Sequence, residues 1–484
     1  MKNAPSTPDP RTIILFGLPF HDVTMAETLG WIDELITSKR AAYLVTANLD
    51  FAAQASGDVE LQRILVEAEL VLCDGTPLVW ASRLVGKPLR ERVAGSDLVP
   101  RLAAHAEQRG YKIFLLGGEP AVLEQAAANL SKKHPLLPRV ECYSPPFASL
   151  LDLDHSKILE HLEAARPDIL LVAFGCPKQE KWISMHYRAL RIPCCIGVGA
   201  TVDFLAGKVS RAPAWMAKLG LEWVFRLSQE PKRLVGRYWK DICFLVTQSW
   251  KEFRVARATS ALPPPVSIDP GPAPGLELIR WNGAVCAADL AKFLRPTMTK
   301  PFVIDLSGVS SVDSRGLGMM VRIIRESWTS GTSGCFLAPS LAVQKVIEVT
   351  QLDRILPLAT SIDEARALLD REAAALRLRP HLDNGGERIS FRCPPRITAE
   401  NADALGQAIK QTWENHSEAQ CIAMDFADTT FIDSSGLGLL LKIHRMTASR
   451  PEGKMDVLHL NENIQNVIRV SRLEKLLLPS AATN

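Results

Sequence analysis

Six short apolar runs, TIILFG, AYLVTAN, LVLCDG, KIFLLGG, DILLVAFG and CCIGVG, recur between Thr12 and Gly199, and each ends on glycine, asparagine or an Asp-Gly pair. Stretches of helical spacing separate them. A run that is apolar at nearly every position must be covered on both faces, and alternation with helices is how a chain supplies that cover. The expectation for residues 1–255 is therefore an α/β domain around a largely parallel sheet. In such sheets ligands dock at the carboxyl ends of strands, so the residues that close each run are where chemistry is expected.

Four of those closures are polar: Thr46-Ala-Asn48, Asp74-Gly75, Gly117-Gly118-Glu119, and the stretch DILLVAFGCPKQEKW (168–182), which brings Lys178, Gln179, Glu180 and Lys181 to a strand end. Glycine-rich turns let backbone N–H groups approach phosphate. An aspartate at a strand tip can act as a general base, although most such residues cap a helix or a turn. Asp152-Leu153-Asp154 imitates a metal-binding D-x-D pair, but LLDLDHSKILEHL starts a helix with no strand before it, so capping is expected. No histidine pairs with Cys, Asp or Glu at a convincing ligand spacing, and no metal is expected.

The 484 residues suggest about three domains. A net charge of +3 gives no reason to expect nucleic acid. No apolar run nears the ~20 residues that span a bilayer. The start, MKNAPSTPDPRTIILFG, lacks a small-residue cleavage pattern and is not expected to be a signal peptide. Ten scattered cysteines without a C-x-x-C pair fit a reducing cytoplasm.

The segments DGTPLVWASRLVGKPLRERVAGSDLVP, LLGGEP, DILLVAFGCPKQEKWI and IGVGATVDFLAGKVSRAPAWMAKLGLEWVFRLSQEPKR recur in one order and spacing. Over roughly residues 12–242 they resemble the WecG/TagA/CpsF family of bacterial glycosyltransferases. The resemblance implies a Rossmann-like glycosyltransferase domain. It implies an inverting, metal-independent transfer from a UDP-sugar to an undecaprenyl-diphosphate-linked saccharide in cell-surface polysaccharide synthesis. The setting would be cytoplasmic and peripheral, on the inner face of the membrane. The family's base falls on Asp74, and its active-site polar residues fall on Thr46, Asn48 and Gln179. Lys178 and the Gly117/Gly118 turn join them as candidate substrate contacts. Among relatives, UDP-N-acetylmannosamine, UDP-glucose and uronic-acid derivatives all serve as donors.

Residues 211–257 hold ten Arg/Lys against four Asp/Glu, with Trp215, Trp223, Trp239 and Trp250 among them. Leu234, Tyr238, Ile242 and Leu245 make one helical stripe, with Arg233, Arg237, Lys240 and Lys251 beside it. The pattern suits an anionic membrane surface, although Asp241 borders the stripe and Phe244 lies among the bases. By the resemblance, Arg226 and Arg233 best match arginines that meet the diphosphate. Gly236 stands where relatives often carry a second basic residue, which leaves Arg237 unassigned.

A Pro-rich linker, residues 256–275, leads to an internal repeat. VIDLSGVSSVDSRGLGMMVRI (303–323) aligns with AMDFADTTFIDSSGLGLLLKI (423–443) at an offset of 120 residues, giving two units over 276–375 and 386–484. Both resemble STAS domains, small α/β regulatory modules. In that family a serine of the DSSGLG loop is phosphorylated by a partner kinase, which switches binding of another protein. Ser434 is the best candidate and Ser435 is not distinguished from it by spacing; in the first copy Arg315 takes the second serine position, so Ser314 is either a degenerate site or a constitutive docking surface. A homo-oligomer is left open. The competing class is a catalytically inactive, partner-switching scaffold. The intact set Thr46, Asn48, Asp74 and Gln179 favours the enzyme, because a scaffold has no use for it.

Overall fold

The computed structural model describes residues 11–209, 212–213, 216, 222–229, 231–258, 276–285, 295–330, 332–375, 380–383, 387–399, 401–471 and 473–477. The first apolar run does not join the main sheet. Its strand β1 (Thr12–Leu15) pairs antiparallel with β2 (Leu18–His21). The cause is local: Phe16 and Gly17 both take positive φ, 53° and 78°, and close a tight hairpin.

The other five runs are strands of one parallel sheet: β3 (Tyr43–Ala47), β4 (Leu70–Cys73), β5 (Ile113–Leu116), β7 (Ile169–Val172) and β8 (Cys194–Gly197). A short strand that the sequence reading missed, β6 (Glu141–Tyr143), completes the order β4-β3-β8-β7-β5-β6. Every pairing in it is parallel. Alternate residues serve opposite faces. Tyr43, Val45, Leu170 and Val172 enter one core, while Leu44, Leu171 and Ile196 enter the other.

The helices that matter below are α1 (Leu49–Ala55), α2 (Val59–Glu67), α3 (Thr76–Leu84), α4 (Gly95–Arg109), α5 (Lys178–Leu190), α6 (Glu222–Gln229) and α7 (Pro231–Ala258). Asn48 caps α1 by accepting from Phe51 N, and Asp58 caps α2 by accepting from Leu61 N. Asp154 caps the helix His155–Ala165 through Lys157 N. Helix α7 runs unbroken across Gly236. Most of the Pro-rich linker lies outside the described residues.

Beyond it stand two units of matching design. The first has four parallel strands, β9 (Glu277–Val285), β10 (Phe302–Val312), β11 (Gly334–Leu337) and β12 (Leu358–Ala359), in the order β12-β11-β10-β9. Helix α8 (Ser314–Thr329) follows β10. In the second, the strands are β13 (Pro380–Asp383), β14 (Arg388–Arg392), β15 (Arg396–Ile397), β16 (Cys421–Asp425), β17 (Phe431–Ile432) and β18 (Lys454–Leu458). Helix α9 (Ser434–Thr447) follows β17. The single long strand β10 is here split into β16 and β17.

Both units pack on the first domain around α2. Ile14 and Val66 enter the core of the first unit, and Arg325 Nη1 donates to Ala68 O at 2.8 Å. Facing the second unit, the buried Arg63 guanidinium ion-pairs with Glu67 at 3.0 Å and with the buried Asp433 carboxylate. Glu60 receives the Ser434 N–H at 2.8 Å and the Ser434 hydroxyl at 2.9 Å.

Candidate active site

The carboxyl ends of β4, β3, β8 and β7, neighbours in the sheet, close around a polar chamber of about 400 Å³. Thr46, Asn48, Asp74 and Gln179 all line it, so the four expected polar residues are brought together. An apolar groove of about 350 Å³ adjoins the chamber, between α3 on one side and α6 and α7 on the other. The two spaces share Asn48, Asp50, Asp74, Ser96, Arg237 and Tyr238 as a common wall.

Asp74 is aimed by the backbone. Its N–H donates to Ala47 O at 2.9 Å, and one carboxylate oxygen accepts from Gly95 N at 3.2 Å, at the start of α4. Thr46 Oγ1 donates to Gly197 O at 3.3 Å and fastens β3 to β8. Asn48 spends its carbonyl oxygen on the α1 cap, which leaves its amide NH₂ for a ligand.

Gln179 is only 3% exposed, and its Oε1 accepts from both Gly175 N and Gly199 N at 3.1 Å. It braces two loops of the chamber more than it reaches into it. Three expected contacts fall elsewhere. Gly117 and Gly118 follow β5, one strand beyond β7, and a Cβ on Gly117 would strike the Phe174 ring at 2.5 Å. Neither glycine lines the chamber. Lys178 also misses it: its ammonium donates to Ala148 O at 2.5 Å and lies over the rings of Phe147 and Phe174. Burial lowers its pKa.

Sequence reasoning left Arg237 unassigned and overlooked Asp50, Ser96 and Tyr238. Arg237 reaches the common wall because α7 folds back over the sheet edge, and its Nε lies 3.6 Å from Asp50 Oδ2. Arg92 ties α6 to the loop before α4 through ion pairs to Glu222 at 2.7 Å and Asp97 at 2.5 Å. The two irregularities in the amphipathic pattern have structural causes. Phe244 stacks edge-on with Phe16, ring centres 5.9 Å apart. Asp241 lines the groove, where burial first and the Asp50 charge second push its pKa up to about 6.

Helix α7 also carries an outward apolar seam that the sequence reading did not see. Val235, Trp239, Ile242, Val246 and Trp250 follow at intervals of four, three, four and four residues, each at least 46% exposed. Trp80 and Leu84 of α3 are exposed at the groove beside it. Arg226 lies on α6 and Arg233 on α7, but their side chains, like Trp215, lie outside the described residues. Among the described residues no three His, Cys, Asp or Glu gather as a metal set, and no helix is long and apolar enough to cross a membrane.

Comparison with known proteins meets this geometry. The glycosyl transferase WecG/TagA/CpsF family matches residues 13–258, and the STAS domain matches residues 246–365, which take in the first unit. Similar curated proteins include the N-acetylglucosaminyldiphosphoundecaprenol N-acetyl-beta-D-mannosaminyltransferases of Bacillus subtilis (strain 168) and Staphylococcus aureus (strain MW2). The first is 29% identical over 46% of this chain and 86% of its own length, the second 28% over 46% and 86%. Among solved structures, the Bacillus cell fate determinant SpoIIAA in its phosphorylated form is similar at 18% identity, over 22% of this chain and 93% of that chain, with a TM-score of 0.18. With a family match spanning half of its length and a polar chamber at the ends of its parallel strands, the chain belongs to the WecG/TagA/CpsF family of glycosyltransferases.

Proposed function

We propose that this enzyme moves a sugar from a UDP-sugar to a polyprenyl-diphosphate-linked saccharide at a membrane surface, with inversion and without a metal ion. The position of Asp74 carries the reading: it stands where a polar chamber meets an apolar groove. A nucleotide sugar suits the first space and the lipid end of an acceptor the second, so one carboxylate can serve both substrates. Asp74 takes the proton of the acceptor hydroxyl as that oxygen attacks the anomeric carbon. The bond to UDP breaks, and the diphosphate charge is met by Arg237, with Arg226 and Arg233 on the adjoining helices. The indole N–H of Trp223, buried at the groove with no hydrogen-bond partner among the described residues, is a further donor for the acceptor's diphosphate. The exposed seam of α7, with Lys232 and Lys240 beside it, fits an anionic bilayer. Relatives are named as N-acetyl-beta-D-mannosaminyltransferases acting on N-acetylglucosaminyldiphosphoundecaprenol, and the sugar in that name makes UDP-N-acetylmannosamine the first donor to try.

We read the second C-terminal unit as another STAS module, and the pair as regulators of transfer. What supports this is the seal on Ser434. Around it Asp58, Glu60, Glu67 and Asp433 face Arg63, Lys181 and Arg188, a nearly balanced set. A phosphoryl group placed on Ser434 by a kinase would add about two negative charges against Glu60 and open the contact.

The decisive experiment supplies the purified chain with a panel of UDP-sugars and a short-chain prenyl-diphosphate-linked N-acetylglucosamine, with and without EDTA. Release of UDP from one donor, unchanged by EDTA, is expected. No release from any donor by folded protein would overturn the reading. Asp74→Asn is expected to lose at least about a hundredfold in turnover. Near-normal turnover would remove Asp74 as the base.

A further inference from the structure

Glu180 follows Gln179 on the first turn of α5, and its side chain is 1% exposed. Its Oε1 accepts from Gln179 Nε2 at 2.7 Å, while Oε2 has no well-formed hydrogen bond among the described residues. The pair rests on β8 at Gly197, where a Cβ would lie 2.5 Å from Glu180 Oε1 and 2.6 Å from Gln179 Nε2. From there the Gln179 carboxamide oxygen holds the Gly175 and Gly199 amides, which belong to two walls of the chamber.

We propose that Glu180, kept as a neutral carboxylic acid, is the positioning residue that orients Gln179 and so latches the Gly175 and Gly199 loops around the chamber, and that proton loss from Glu180 releases both loops. A carboxylate with a bare oxygen in this setting would be a buried charge without a cation, which costs far more than a neutral acid. Burial pushes the Glu180 pKa up to about 8, against smaller lowering effects of the bond from Gln179, its own backbone N–H and the Cys176 thiol. No cation is among the groups that shift it. On the loop after β7 the Cys176 thiol is itself raised by burial, with Glu180 and the α1 residue Asp50 adding to the rise and Arg237 of α7 opposing it. On the β8 side the neighbour is Gly197.

The folded chain holds this proton more tightly than the unfolded chain, whose glutamate titrates near its ordinary value. The stability contributed by the neutral acid is complete at acid pH and is lost progressively as pH rises toward 8. Glu180→Gln keeps an uncharged acceptor of the same shape and removes the titration.

The test compares the full-length wild type with Glu180→Gln and Glu180→Ala from pH 5 to 9.5. The melting temperature of the wild type, relative to Glu180→Gln at each pH, is expected to fall between pH 5 and 8. Amide exchange at Gly175 and Gly199 is expected to lose protection above pH 8 in the wild type and keep it in Glu180→Gln. Turnover by the wild type is expected to fall about tenfold per pH unit above pH 8, a limb that Glu180→Gln lacks. Glu180→Ala, if folded, is expected to show the loosened loops at every pH. Parallel pH profiles for wild type and Glu180→Gln in melting and exchange would overturn the proposal. Only the turnover arm rests on the transferase reading. A chain without turnover but with divergent melting and exchange profiles would refute that reading and uphold the role of Glu180.

Discussion

The two C-terminal units repeat one strand, Asp-Ser and helix arrangement at an offset of 120 residues, yet they meet the first domain differently. Helix α8 of the first lies backbone to backbone on β1: a Cβ at Gly318 would be 2.5 Å from Thr12 O. The Asp313–Ser314 end of α8 is left accessible, with Asp313 exposed. In the second unit the equivalent glycine, Gly438, faces only the end of the flexible Met185 side chain at 3.4 Å. There the helix end itself is sealed, Asp433 on Arg63 and Ser434 on Glu60. The first contact joins a close backbone approach to the Arg325 bond, whereas the second turns on the buried Arg63–Asp433 ion pair at the helix end. Shape is indifferent to the protonation or modification of a serine, whereas buried charge is not, so the second docking is the one that chemistry can undo.

The largest break in this contrast is expected from Arg63→Ala, which strands Asp433 and Glu67 in the interior. The loss should be about 3–5 kcal/mol, read as early release of the second unit in denaturant titrations. Equal unfolding of both units would dissolve the contrast. Next comes Gly318→Ala, where the backbone of Thr12 cannot yield. Its cost should reach about 3 kcal/mol, while Gly438→Ala should stay within about 0.5 kcal/mol. Comparable costs at both glycines would mean that the first contact is not held by shape. Ser434→Asp is expected to cost about 2 kcal/mol through the lost bond to Glu60 and the opposed charges, with Ser314→Asp nearly silent. Hydrogen exchange along α2 would report both, and protection retained in Ser434→Asp would show that the seal tolerates charge.

Local chemistry was legible in the sequence and long-range approach was not. Apolar runs with polar closures located β3, β4, β7 and β8, and with them Thr46, Asn48, Asp74 and Gln179. The Phe16–Gly17 turn was written in two residues, but nothing in TIILFG distinguishes a hairpin strand from a sheet strand. Gly117, Gly118 and Lys178 lie outside the chamber lining because strand order, not motif chemistry, sets their distance from it. Arg237 and Tyr238 become site residues only when α7 folds back over α1 and α3. The helix therefore needs apolar contacts inward as well as outward, and Asp241 and Phe244 looked like flaws when only one stripe was sought. The seal on Ser434 joins residues 374 positions apart, beyond any periodicity.

Tyr238 faces the chamber and its chain neighbour Trp239 faces out, so α7 is at once the roof of the reaction space and its outer skin. The thickness of that roof is a single helix, about 10 Å. On the proposed reading, an acceptor held at the seam by its lipid tail would have to span that thickness with its diphosphate and first sugar to bring a hydroxyl to Asp74. The helix would then act as a ruler for head-group length.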